Sequence, residues 1–200
     1  MSDQTPSFEL GDISNFREVS DLLYIFFGIL TVDVIVLFLT RYYKVGGKYL
    51  NEWYDKFDLL AVLADVLIIL IGFIIARYLY TIYFYEKFGW SPIYFMILLV
   101  VVQAIHDILL YVGVIKPMPE GHNQMIDVFK KYADDLGGVI IGGDALLMIF
   151  SALFAMIYKS ISVDKFYAIN ALVVYALPYI LFTRNPYDVV KTEVEPKKTQ

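Results

Sequence analysis

Gln103, Asp107 and Tyr111 recur at four-residue intervals inside one long apolar run, PIYFMILLVVVQAIHDILLYVGVI (92–115), and His106 sits beside them. On a helix that spacing sets an amide, a carboxyl and a phenol on one stripe, with an imidazole at its flank. Such a set can hold a cation, relay a proton, or hydrogen-bond across helices. The run itself is long enough to cross a bilayer, since 24 residues at about 1.5 Å each reach roughly 36 Å. Ser91 and Pro92 suit its start, and Lys116-Pro117 closes it. An ionised side chain at such a depth costs at least ~2.5–3.5 kcal/mol, so these groups are expected to face protein or water rather than lipid.

Composition places the whole chain in the same setting. It has 200 residues, 59% hydrophobic and 17% aromatic, with a mean hydropathy of +0.62. Soluble domains are nearer ~45–50% apolar, and here the excess falls in long blocks. There is no cysteine, which excludes disulfides, thiolate metal sites and thiol nucleophiles. A net charge of −5 without a basic patch argues against nucleic acid as a partner. HExxH, GxSxG and P-loop motifs are absent, and with no mid-span lysine a retinal Schiff base is excluded.

The elements that must position the polar groups are five apolar spans, near 21–41, 58–80, 92–115, 136–158 and 164–182. The expected fold is all-α: a polytopic bundle of five transmembrane helices (21–183) between a polar N-terminal segment (1–20) and a polar, disordered tail (184–200). The N-terminal segment reads as a flexible start and then a short surface helix. Residues 42–57 and 81–91 read as aromatic interfacial loops, with a turn at Gly46-Gly47. Ile126, Phe129, Tyr132 and Ala133 recur at helical spacing, which predicts a short helix lying on the membrane. Gly138 and Gly142 form a GxxxG suited to close helix packing. Span five carries Pro178, where a kink is expected. Eleven of the sixteen Lys and Arg residues fall on the C-terminal side of the spans and five on the other. The positive-inside bias then puts the C-terminus in the cytosol and the N-terminus outside or in a lumen.

Asp33, Asp65, Asp107 and Asp144 each lie on the cytosolic side of their span midpoints, within about 3–6 Å of the midplane at ~1.5 Å per residue. His106 and Tyr175 fall in the same layer, which holds no Lys or Arg. Four carboxyls without cations cannot all be ionised in low dielectric. Protons are therefore shared, or a cation is held. Asp33, Asp65, His106, Asp107 and Asp144 are the candidate metal ligands, and oxygen donors with one imidazole suit a hard or borderline divalent cation. His122, in a loop, reads as solvated or interfacial.

Three functions fit this layer: binding and transport of a proton, cation or small polar ligand; a membrane-embedded metal-dependent enzyme; and a structural scaffold in which the polar core is only interhelical glue. The partners implied are the lipid bilayer and a second copy of the chain. The stretches WYDKFDLLAVLADVLIILIGFIIARYLY (53–80), VVQAIHDILLYVGVIKPMPEGHNQMIDVFKKYA (101–133) and GGDALLMIFSALFA (142–155) resemble a group of uncharacterised multi-pass membrane proteins encoded by large DNA viruses of protists and algae. The resemblance implies a viral protein of the virion's inner membrane or of host membranes. It implies no activity and carries over no functional residue.

Overall fold

The computed structural model describes residues 9–183, and all of its regular structure is helical. The expected flexible start (1–8) and the C-terminal tail (184–200) lie outside the described residues. Helix α1 runs Asp21–Tyr43, α2 Gly47–Leu79, α3 Tyr85–Phe88, α4 Pro92–Leu110, α5 Gln124–Leu136, α6 Val139–Ser160 and α7 Val163–Leu181. Single π-helical turns join α2 to α3 (Tyr80–Phe84) and extend α4 (Tyr111–Ile115). Four helical stretches are long and apolar enough to cross a membrane: Asp21–Tyr43, Gly47–Phe88, Pro92–Ile115 and Val139–Ser160. This is a multi-pass membrane protein. Helix α7 has 19 residues and carries Asp164, Lys165, Asn170 and Pro178, and it is not among the four.

Helices α1, α2, α4 and α6 pack in a closed ring in that order, with α1 against α6 as the largest interface. Helix α7 leans on α1 from outside, and α5 lies across α2. The α1–α6 contact is close because its residues are small. A Cβ placed on Gly28 would fall 2.7 Å from the Ser151 carbonyl oxygen and 2.8 Å from the Ala155 nitrogen, both backbone atoms that cannot swing aside. Ser151, Ala152 and Ala155 are all buried. Beside this contact Thr31 and Tyr158 share a hydroxyl hydrogen bond of 2.8 Å.

Four expectations need correcting. Residues 42–57 are not a loop: after a turn through Lys44, Gly46 and Gly47, all at positive φ, the chain is helical from residue 47 and breaks only at Asp58, whose φ of 46° and ψ of −126° mark a kink. Leu50, Trp53, Tyr54 and Phe57 recur at helical spacing there, and Trp53 and Tyr54 are buried against the bundle rather than set among headgroups. Arg41, itself buried, fastens this segment by donating to Asn51 Oδ1 (2.7 Å), Asp55 Oδ1 (2.5 Å) and the Leu181 carbonyl (2.9 Å). The stretch 81–91 is also mostly helical, with the turn delayed to Gly89. The Gly138-Gly142 pair makes no close helix contact among the described residues, because a Cβ on either would meet nothing within 4 Å. Gly28, outside any GxxxG, takes the close contact instead.

Residues 9–20 form turns and extended chain, not the surface helix expected. This strap crosses the N-terminal end of the ring, with Ile13 and Ser14 fully buried. A polar clamp holds it. Asp21, 1% exposed, meets Lys159 Nζ at 2.7 Å and Arg77 Nη2 at 3.6 Å. Arg77, equally buried, donates to the carbonyls of Asn15 (2.5 Å) and Glu18 (2.7 Å), and Lys159 donates to that of Asp12.

The glycine contacts predict opposite signs at two positions. Gly28→Ala is expected to destabilise the fold by about 1–3 kcal/mol, the scale of overpacking against atoms that cannot move. Gly142→Ala fills open space and gains helix propensity of up to about 1 kcal/mol, so it is expected to be neutral or stabilising. Denaturant titration in one detergent reads both. Equal responses at the two sites would refute the assignment of the tight contact.

Candidate functional site

Below the Gly28 contact the antiparallel α1 and α6 separate, and the gap is a cavity of about 670 Å³. Val32, Val36 and Leu39 of α1 face Ile140, Leu147 and Phe154 of α6 across it. The Tyr49–Tyr54 segment of α2 closes one end, and Val128, Phe129, Tyr132 and Leu136 of α5 form a cover. The helix predicted over 126–133 is therefore real: Asn123 caps it by accepting from the Met125 (2.9 Å) and Ile126 (3.2 Å) N–H groups. One face of it serves as a wall of the cavity.

Nearly all of the wall is apolar or aromatic, and two carboxyls interrupt it. Asp33, 3% exposed, accepts from the Tyr54 hydroxyl at 3.3 Å through Oδ1, while its buried Oδ2 has no hydrogen-bond partner among the described residues. Asp65 accepts from Trp53 Nε1 at 3.1 Å through Oδ2. The two charges lie within electrostatic reach of each other. Trp53 and Tyr54, read from the sequence as interface anchors, are thus the donors that orient both acids. Their helical spacing with Leu50 and Phe57 was the available signal.

The other predicted site residues divide. Asp144 and Asp65 both act on the Tyr132 phenol, and Asp144 also lies within reach of Asp107. The four carboxyls therefore run as an arc, Asp33–Asp65–Asp144–Asp107. Asp107 Oδ1 accepts from Gln103 Nε2 at 2.7 Å, as the four-residue spacing implied, and His106 Nδ1 lies 3.3 Å from the same oxygen. Asp107 Oδ2 and Gln103 Oε1 are buried without hydrogen-bond partners among the described residues. Gln103 fits because Gly72 has no side chain; a Cβ there would stand 2.8 Å from its Oε1.

Two of the predicted site residues do not join. Tyr175 is 65% exposed on the outer face of α7, where Tyr179 donates to its hydroxyl at 3.2 Å. Tyr111 is half-buried at the π-helical turn and makes no side-chain hydrogen bond among the described residues. The proposed metal ligands are not gathered either: among the described residues no three His, Asp or Glu side chains are placed to hold an ion. The physical reason is the ring itself, which spaces the acids around four helices instead of directing them at one point. His122 is exposed in the loop before α5.

Tyr132 gives a titration test of the arc. Burial first, then the charges of Asp144 and Asp65, push its phenol from 10.0 up to about 12. With the folded value above the unfolded one, the neutral phenol favours the folded state. This contribution is complete below about pH 10 and is lost as pH rises through about 12. Wild type is therefore expected to lose more stability than Tyr132→Phe over that window, read as the difference between their melting temperatures from pH 9 to 12. Parallel curves would place Tyr132 away from both acids.

The chain was compared with known protein families, with curated proteins and with solved structures, and it matches none of them.

Proposed function

We propose that the protein is a five-span membrane protein that binds a proton, cation or small polar ligand at the Asp33–Asp65 pair and moves it along the carboxyl arc. The observation that carries this reading is Asp33: a carboxyl 3% exposed, in the wall of an apolar cavity, with one oxygen unpaired. An unpaired buried carboxyl oxygen costs free energy unless a proton or ligand engages it. Asp21, at the start of α1, differs in having a cation beside each oxygen, Lys159 at 2.7 Å and Arg77 at 3.6 Å, whereas Asp33 has none among the described residues. Asp65, Asp144 and Asp107 offer successive acceptor groups across the ring. The metal-enzyme alternative loses ground because no three donors converge.

Helix α7 is the fifth crossing in this reading. Its 19 residues reach about 28 Å at ~1.5 Å each, close to the hydrocarbon thickness of ~30 Å. Its outer face exposes Leu172, Val174, Tyr175 and Tyr179, a surface that suits lipid. The eleven-to-five charge split, taken with five crossings, supports a cytosolic C-terminus. The membrane is that of a virion or its host if the resemblance reflects origin.

Two measurements test this. A tag at Gln200 is expected to react from the cytosolic side and a tag at Met1 from the other; both on one side would refute five crossings. In liposomes carrying an internal pH dye, an imposed Na⁺, K⁺ or proton gradient is expected to drive flux that Asp65→Asn reduces at least tenfold while the fold survives. Flux absent from wild type under every gradient, or unchanged in the variant, would overturn transport through this site.

A further inference from the structure

The cavity that holds Asp33 and Asp65 pairs an acidic end with apolar and aromatic walls, a combination that suits an amphiphile. Apart from the two acids, its polar groups are aromatic hydroxyls and one indole; none of the residues lining it is Lys, Arg or His. Its volume of about 670 Å³ falls inside the ~300–1,000 Å³ typical of small-molecule sites. At ~30 Å³ per atom-sized unit it accommodates about twenty non-hydrogen atoms. Ile35, Leu146 and Phe150 line it and are also 43%, 56% and 50% exposed, so it reaches the surface between α1 and α6. In a bilayer that surface meets lipid tails, not water.

We infer that the cavity binds a single-chain alkyl ammonium, with its primary amine at Asp33 and Asp65 and its tail between α1 and α6. The inference rests on the acidic site being a binding site, and it names the ligand class. Three features select the head. The buried Asp33 Oδ2 lacks a donor among the described residues, and a primary ammonium supplies one through N–H. Asp65 lies in reach for a second charge contact. Trp53, Tyr54, Phe129 and Tyr132 line the same cavity and favour a cation over an anion through their ring faces. One tail is selected by volume, since a two-tailed lipid far exceeds about twenty atoms. An anionic head would meet two acids and no cation.

The chain supplies its own reporter. It has two tryptophans: Trp53 in the cavity wall and Trp90, which donates to the Leu10 carbonyl at the strap end. In the Trp90→Phe protein, reconstituted in nanodiscs of neutral lipid, dodecylamine is expected to give a saturable change in Trp53 emission. Butylamine, dodecanol, dodecanoate and dodecyltrimethylammonium are each expected to bind at least tenfold more weakly. Asp33→Asn, and independently Asp65→Asn if the first variant misfolds, are expected to weaken dodecylamine at least tenfold. The Trp53→Phe protein, reporting through Trp90, is expected to show no saturable change, which separates site binding from adsorption to the bilayer.

Butylamine equal to dodecylamine would leave an acidic site but overturn the amphiphile. Dodecanol equal to dodecylamine would overturn recognition of the head. Dodecyltrimethylammonium equal to dodecylamine would overturn the N–H contact to Asp33. No response to any of them while proton or cation flux persists would overturn this inference alone; loss of both would overturn the proposed transport as well.

Discussion

The tight approach of Gly28 to the backbone of Ser151 and Ala155 sets the shape of everything around it. Lipid tails give helices no hydrophobic reason to associate, so small residues that let backbones meet are what fix a membrane interface. Two antiparallel helices pinned tightly at one end need not stay close at the other. Helices α1 and α6 diverge below this contact, where larger side chains such as Leu39, Phe150 and Phe154 take over, and the space between them is the cavity. The acids thus acquire a chamber because a glycine elsewhere on the same helix pins its top.

Charge is divided between the two ends on a physical basis. At the strap end every buried ion has an opposite partner: Asp21 lies between Lys159 and Arg77, and the cations also hold the carbonyls of residues 12, 15 and 18. A buried pair of this kind does little for net stability, yet breaking it leaves an uncompensated charge at a cost of about 3–5 kcal/mol. It therefore fixes a register, holding the strap on the ring. At the cavity the acids have only neutral donors, the Tyr54 hydroxyl and the Trp53 indole. Those donors orient the carboxyls and bring no opposite charge to them. The same residue type is ion-paired at Asp21 and hydrogen-bonded to a neutral phenol at Asp33 because of what faces it.

Helix α5 and the 47–57 segment show how amphipathic pieces are put to use. Each carries an aromatic face that could have settled into headgroups, and each instead covers a flank of the cavity. Burying Trp53 and Tyr54 against Asp33 and Asp65 satisfies both the indole and the phenol while removing apolar surface from the interface. Arg41 makes this arrangement rigid by tying the segment to the last turn of α7. The kink at Asp58, a non-glycine residue at φ 46°, is where the chain turns from this cover into the membrane-crossing part of α2.

By itself the sequence determined that this is an all-helical membrane protein, where its long apolar runs lie, and that acids without nearby cations sit inside them. Those are local properties of hydropathy and spacing, and the Gln103–Asp107 hydrogen bond follows from helix geometry alone. Partners across helices were decided only by the tertiary structure. Periodicity states that Tyr54 lies on an aromatic face, but not that the face turns inward to Asp33. Depth in the membrane puts Tyr175 level with the acids, whereas its azimuth on α7 turns it outward. A GxxxG marks a helix that can pack closely, but Gly138 and Gly142 have open space beside them and Gly28 has a helix. Rotation of each helix about its own axis depends on every neighbour it packs against, and one-dimensional spacing does not carry that information.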